Sequence, residues 1–337
     1  MARNPGRPRR QLAVAVAVAA VALSACSPAQ TLLGLQSNTA VLSNSPALTP
    51  GQASSVATRA ITQAQRADAL RTPAAAQSAY TGLALTIAPA RYVVEKAIGP
   101  DVDPGGALAP VAQPSRVVVT AGRAFPRTVV AVWQPEGGRA LEAVLMRSTD
   151  VRTPFRVATR VDLLPGEVLP PTPPNTRGAS VLADDVGGLV ATPRQAVADL
   201  AKLLQTGKAS GTPFESSVVV KEVRAKAAAQ ARDVKKVATF SQRHSARDDG
   251  TTAIRTADGG ALVFAAINRT DVFTVRKGAG VITPPPAYRA LASGLKKITR
   301  SATVTTVETV VLVVPPRGDG SVRVVGFSEA PVAVKGS

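Results

Sequence analysis

Between Leu169 and Pro174 the chain reads Leu-Pro-Pro-Thr-Pro-Pro. Proline lacks the backbone N–H, fixes φ near the value it has in an extended chain, and biases the residue before it away from the helical region. No helix and no interior strand passes through such a segment. Regular structure must therefore be built on either side of it, and both sides carry the same order: helical periods first, strand-like runs afterwards.

In the first half, Val56, Ala60, Ala64 and Ala67 recur at three- and four-residue spacing, which predicts a helix over 52–69 with Ser54 or Ser55 at its N-cap. Pro73 ends it, a second helical piece runs from Ala74 to Tyr80, and 83–91 fits helix or strand equally. Four strand-like runs follow at 116–120, 128–133, 140–147 and 155–163, separated by turn signals such as Pro135-Glu136-Gly137-Gly138 and Thr153-Pro154. Links this short favour an antiparallel meander.

The second half opens on Thr192-Pro193, an N-cap followed by proline at the first helical position, and the helix is expected to reach Leu204. A second helix is predicted over 219–236, with Val220, Val223, Ala227, Ala231 and Val234 on one face. Strands are expected at 252–256, 261–268, 272–277, 303–314 and 321–327, with hairpin turns at Asp258-Gly259-Gly260 and Asp319-Gly320. Helices before an antiparallel sheet, twice, define an α+β class with two similar modules. The element order resembles the cystatin-like or nuclear-transport-factor-2-like cone, and that resemblance implies a curved sheet wrapping a helix and leaving a pocket.

Ahead of both modules, Arg3, Arg7, Arg9 and Arg10 precede an apolar run from Leu12 to Leu23, and small residues lead to Cys26, the chain's single cysteine. The run is shorter than the roughly 20 apolar residues that a spanning helix needs. Leu23-Ser24-Ala25-Cys26 resembles the lipobox of bacterial lipoprotein signals. The resemblance implies cleavage between Ala25 and Cys26, a diacylglyceryl thioether on Cys26 (a palmitate-type anchor), and export to the outer face of the cytoplasmic membrane or into the cell envelope. An ordinary secretory signal with Cys26 as a free thiol is the alternative, and Arg9-Arg10 hints at twin-arginine export. Residues 27–52 are polar and aperiodic and read as a disordered tether with a root-mean-square span of roughly 25 to 30 Å. The expected organisation is thus a signal over 1–25, lipidated Cys26 and tether to 52, a first domain over 53–170, a junction over 171–191, and a second domain over 192–337.

The formal charge is +18, and +14 once the four arginines ahead of Cys26 are removed. Residues 27–190 hold 14 Lys and Arg against 11 Asp and Glu, whereas residues 191–337 hold 22 against 11, so the second domain carries the basic character. An exported basic protein has anionic phospholipid, cell-wall polymer or an acidic protein as its partners, rather than nucleic acid. Aromatics at 3% argue against ring platforms for sugars or single strands. Lys221, Arg224, Arg232, Lys235 and Lys236 share a broad face of the predicted helix opposite its Val/Ala stripe and form the candidate anion-binding face. A solvated surface needs no ligand and is the plainer reading.

Catalytic groupings are sparse. His244 is the single histidine, placed between Arg243 and Arg247 and read as a solvated loop residue. No Gly-x-Ser-x-Gly elbow accompanies it, no cofactor motif occurs, and neither Asp184-Asp185 nor Asp248-Asp249 has a calcium-loop spacing. Glu142, Glu167 and Glu308 are candidate acids for a cell-wall hydrolase solely because they fall in predicted strands. The lipobox, the run Phe155-Arg156-Val157 into Leu164-Pro165-Gly166-Glu167-Val168-Leu169-Pro170, and Arg255-Thr256-Ala257-Asp258-Gly259-Gly260-Ala261-Leu262-Val263-Phe264 are similar to uncharacterised lipoproteins of actinobacteria that carry a paired domain of unknown function. The expectation is a membrane-anchored, non-catalytic binding or accessory module, with a lipid or glycolipid carrier as the alternative.

Overall fold

The computed structural model describes residues 45–99, 114–134, 140–208, 211–293 and 295–337. Ala25, Cys26, the signal segment and the Pro135-Gly138 turn lie outside them. Residues 45–52, read as the end of the tether, belong to the folded body, and the rest of that segment lies outside the described residues. Pro46 bridges to Ala121, and α1 (Pro50–Leu70) starts under a capping box in which Thr49 and Gln52 bond reciprocally. The cap is Thr49 and not Ser54 or Ser55, whose hydroxyls donate back to carbonyls one turn earlier inside the helix. Thr72-Pro73 opens α2 (Pro73–Ala79) with the Thr72 hydroxyl accepting from the Ala75 N–H, and α3 (Gly82–Ile98) settles the ambiguous 83–91 segment as helix despite Pro89 inside it.

The first sheet is the expected meander: β1 (Arg116–Val119), β2 (Arg127–Trp133), β3 (Glu142–Ser148) and β4 (Arg156–Asp162), paired in chain order and antiparallel. The second half supplies β5 (Val181–Leu182), α4 (Pro193–Thr206) under its Thr192 cap, α5 (Val218–Val234), β6 (Ala238–Ala246), β7 (Thr252–Arg255), β8 (Ala261–Val275), α6 (Pro286–Leu291), β9 (Ser301–Val314) and β10 (Arg323–Gly336). Their sheet runs β10-β9-β8-β7-β5, with β6 continuing the line of β7 along β8.

Side-chain alternation decides how these elements stack. On the first sheet Val129, Ala131, Trp133, Val144 and Met146 face α1, α2 and α3, with Ile61, Ala64 and Tyr80 among the helix residues they meet. The opposite face, with Val130, Val132, Leu145 and Val161, packs on Ile254, Leu262, Phe264 and Val311 of the second sheet. The far face of that sheet, with Val263, Ile267, Val310 and Leu312, is covered by Leu200 and Leu204 of α4 and Val220 and Val223 of α5. The body is a four-layer stack of helices, sheet, sheet and helices, and residues 44–337 form one compact unit.

One expectation changes accordingly. The 171–191 segment does not separate a pair of independent cores, because the innermost layer takes residues from both halves. Each sheet turns one face to helices and the other to its neighbour. β4 even touches β10 directly, through a bridge from Leu163 to Gly326 and a hydrogen bond from the Leu164 N–H to the Val325 carbonyl at 2.9 Å. A Cβ on Gly326 would lie 3.1 Å from the Asp162 carbonyl, so glycine is what permits the approach.

Candidate functional site

The second sheet outreaches the first, and α3 covers the overhang. Leu83 and Ile87 of α3 meet Ala266, Val307 and Val332 there. Where α3, β4, β9 and β10 converge, a half-open cleft of about 60 Å³ remains. Ile87, Ala88 and Val307 line it with apolar surface, and Arg91, Arg160 and Glu329 with charge. The seam between the sheets is stitched beside it: the Asp162 N–H donates to Ser328 Oγ at 2.9 Å, Ser328 Oγ donates to Asp162 Oδ2 at 3.0 Å, and Thr309 Oγ1 donates to the Arg160 carbonyl at 3.2 Å.

Two buried ionic clusters flank the cleft. The first ties the N-terminal helices together around Asp68, which the sequence reading passed over. Its Oδ1 accepts from both the Tyr80 and Tyr92 hydroxyls at 2.7 Å and from Arg91. Glu95 pairs with Arg71 at 2.8 Å and lies 3.5 Å from Arg91, and nearby Glu142 of β3 pairs with Arg160. Burial and then the Asp68 charge push the Tyr80 hydroxyl well above its ordinary range; burial and then the hydrogen bond to Asp68 do the same to Tyr92. Burial works to lower the Arg160 guanidinium, but Glu142 outweighs it and holds the group firmly charged.

The second cluster overturns the reading of His244. It is not a solvated loop residue: it sits in β6 with its side chain 1% exposed, and its Nε2 is 3.3 Å from Oε1 of Glu308, which is 0% exposed. That approach is an ion-pair distance without hydrogen-bond alignment, since neither ring nitrogen makes a hydrogen bond. Arg269 binds three carboxylates at once: Glu308 at 3.2 Å, Glu329 at 2.6 Å and Asp271 at 3.2 Å. Lys226 of α5 reaches Glu329 at 3.5 Å, and Gln242 donates to Asp271 at 2.9 Å. Burial works to lower Arg269, while Asp271, Glu329 and Glu308 together raise it.

The three strand acids therefore have cationic neighbours. Glu142 and Glu308 are buried against Arg160 and against Arg269 with His244, and Glu167 lies in a turn rather than a strand, 3.0 Å from Arg323. Asp184 and Asp185 lie in a turn, Asp248 and Asp249 in the loop between β6 and β7, where Asp249 binds Arg247 bidentately at 2.9 Å. Among the described residues no group of three or more His, Cys, Asp and Glu is placed to hold a metal ion.

The predicted basic face is partly reassembled. Lys221, Arg224 and Arg232 are exposed on α5, with Arg224 donating to the Gln205 carbonyl at 2.7 Å. The helix ends at Val234, so Lys235 and Lys236 project from the turn beyond it and not from the helix face. The apolar stripe is buried at Val219, Val220 and Val223, and half-buried from Ala227 onward. No helix among the described residues is long and apolar enough to cross a membrane.

Fold and site together define a single α+β domain of four layers, whose buried charges knit its elements. The chain belongs to the family described as Domain of unknown function (DUF8094), whose model matches residues 44–336 and so takes in both halves. No curated protein and no solved structure matches the chain.

Proposed function

We propose that this protein is an envelope lipoprotein of the actinobacterial kind, exported and held by diacylglycerol on Cys26, whose folded body acts as a non-catalytic binding or accessory module. The observation that carries the reading is the order of Arg3 to Arg10, the apolar run to Leu23, and Ala25-Cys26 a short distance ahead of a body that begins near residue 45. Two acyl chains on one residue anchor a protein durably where a single chain does not. In the body, the buried carboxylates lie beside arginines, an arrangement suited to holding elements together. The cleft of about 60 Å³ where α3 meets β4, β9 and β10 is far below the roughly 300 Å³ at which ligand pockets begin, so that cleft is too small to hold a carried lipid.

The test is metabolic labelling with palmitate in a bacterial host, followed by fractionation and mass spectrometry of the mature N-terminal peptide. Label on Cys26, its loss in Cys26→Ser, and recovery of wild type with the membrane are expected. A wild-type chain that is unlabelled and recovered in the soluble fraction overturns the anchor. Crosslinking in the native envelope then distinguishes anionic lipid, cell-wall polymer and an acidic protein as the partner.

A further inference from the structure

The charge that the sequence assigned to one helix face belongs, in the folded body, to a larger surface drawn from four segments. Backbone pairing brings them to one end of the second sheet. Ala238 pairs with Val275, the Val275 N–H donates to the Arg300 carbonyl at 2.8 Å, and the Arg300 N–H donates to the Ser337 carbonyl at 2.8 Å. The ends of β6, β8, β9 and β10 are thus adjacent, and at the usual strand spacing they span about 15 Å.

Each end carries exposed cations. The turn after α5 presents Lys235 and Lys236, with Arg232 in the helix's last turn. The turn after β8 presents Arg276 and Lys277, and Arg276 is fixed to the first turn by its Nε donating to the Lys235 carbonyl at 3.0 Å. The segment entering β9 adds Lys296, Lys297 and Arg300, folded back so closely that a Cβ on Gly336 would sit 2.5 Å from Leu295. Lys335 closes the row in β10. Asp233 is the one acidic side chain within residues 232–237, 275–280, 295–301 and 335–337, and among the described residues Arg232 alone of these nine cations has an acidic side chain within 4 Å. Neighbouring strand ends are about 5 Å apart, within the roughly 8 Å screening length at physiological salt, so the charge of each end reinforces that of the next. The more central clusters pair their cations with carboxylates; this end leaves them facing solvent.

We propose that this cationic pole docks the body onto the anionic phospholipid surface of the membrane in which its own lipid is anchored. The identity of the surface rests on the lipid-anchor reading; the docking chemistry does not. Lysine and arginine near an anionic leaflet each add to attraction, and a tether holds the pole at high effective concentration there.

The full chain carrying Cys26→Ser, which removes any acyl contribution, is sedimented with vesicles of phosphatidylglycerol and phosphatidylcholine in equal amounts, and with phosphatidylcholine alone. Binding to the anionic vesicles that weakens with salt is expected. The variant Lys235→Gln, Lys236→Gln, Arg276→Gln, Lys277→Gln should lose roughly tenfold or more in affinity. A control removing equal charge elsewhere, Arg66→Gln, Arg152→Gln, Arg177→Gln, Arg194→Gln, should stay within about twofold of its parent. Far-ultraviolet circular dichroism confirms that both fold. Equal loss in the two variants means net charge acts, not the pole, and overturns the proposal; so does an absence of vesicle binding at low salt, including the case in which the chain binds polyglutamate instead. The palmitate label reports on the anchor alone, so each idea fails by its own measurement.

Discussion

Gln205 closes the free edge of β6 at His244: its Oε1 accepts the His244 N–H at 2.8 Å while its Nε2 donates to the Gln242 carbonyl at 3.0 Å. A side-chain amide from α4 thereby takes the place of a neighbouring strand. Asn175 does the same for β1, donating to the Val117 carbonyl at 2.8 Å and accepting from the Val119 N–H at 3.1 Å. Unpaired strand edges invite pairing with other chains. Gln205→Leu is expected to cost about 1 to 3 kcal/mol in urea denaturation and to add oligomers in size-exclusion chromatography, because two backbone groups lose their partners. A stability unchanged within error would show that water replaces the amide without cost.

Gly326 sets the distance between the sheets. A Cβ there would meet the Asp162 carbonyl and Val161 Cγ1 at 3.1 Å and Leu163 Cδ2 at 3.2 Å, one backbone neighbour and two packed side chains. Gly326→Val should destabilise by about 1 to 3 kcal/mol, with Gly326→Ala causing a smaller fall in Tm. Equal melting of all three proteins would mean that β4 moves away freely.

Asp68 is the hub of the N-terminal helices, and its removal separates two kinds of effect. Asp68→Ala removes the carboxylate that the buried Arg91 and both tyrosines share and should cost about 3 to 5 kcal/mol, whereas Tyr80→Phe should cost about 1 kcal/mol. Because both tyrosines and Arg91 share one carboxylate oxygen, losses in Tyr80→Phe and Tyr92→Phe should not add in the double variant. Strict additivity in chemical denaturation would contradict a shared acceptor.

Acid should weaken the Arg269 cluster through Glu329. Burial tends to raise that carboxyl, but Arg269 and Lys226 outweigh it and hold it below its ordinary value. A folded value below the unfolded one means that the unfolded chain binds more protons, so stability from this group is present above about pH 4.3 and is lost as pH falls through the folded value. Glu329→Gln should therefore be less stable than wild type at neutral pH and converge with it in acid, as measured by urea midpoints across that range. A difference that stays constant with pH would remove Glu329 from the acid response.

Much of the fold was legible because local chemistry announces it. Thr-Pro pairs open three helices at Thr49, Thr72 and Thr192, and the short turns dictated the meander. What escaped depends on partners distant in sequence. β8 reads from the sequence as two strands because Arg269 to Asp271 is polar, yet both are strand residues: Arg269 is engaged across β9 and β10, and Asp271 is held by Gln242 of β6. β6 was missed for the same reason: its alternation of Thr239, Ser241 and Arg243 with Phe240, Gln242 and His244 is that of an edge strand, and the positive charges around His244 suggested solvent. The stacking of sheet on sheet was hidden in strands such as β2, buried at nearly every position, whose lack of clean alternation is what burial on both faces produces. The cationic pole could not be seen at all without the pairing of four strand ends.

The innermost layer also imposes an order of events on synthesis. Chains emerge N-terminus first, so Val130, Leu145 and Val161 are made long before Phe264 and Val311, the residues that cover them. Until Ile254 and the strands that follow it exist, the first sheet has only its outer helices for company and one bare apolar side. A fragment ending at the proline run would inherit that bare side permanently and should self-associate, so the smallest length of this chain that folds is nearly the whole of it.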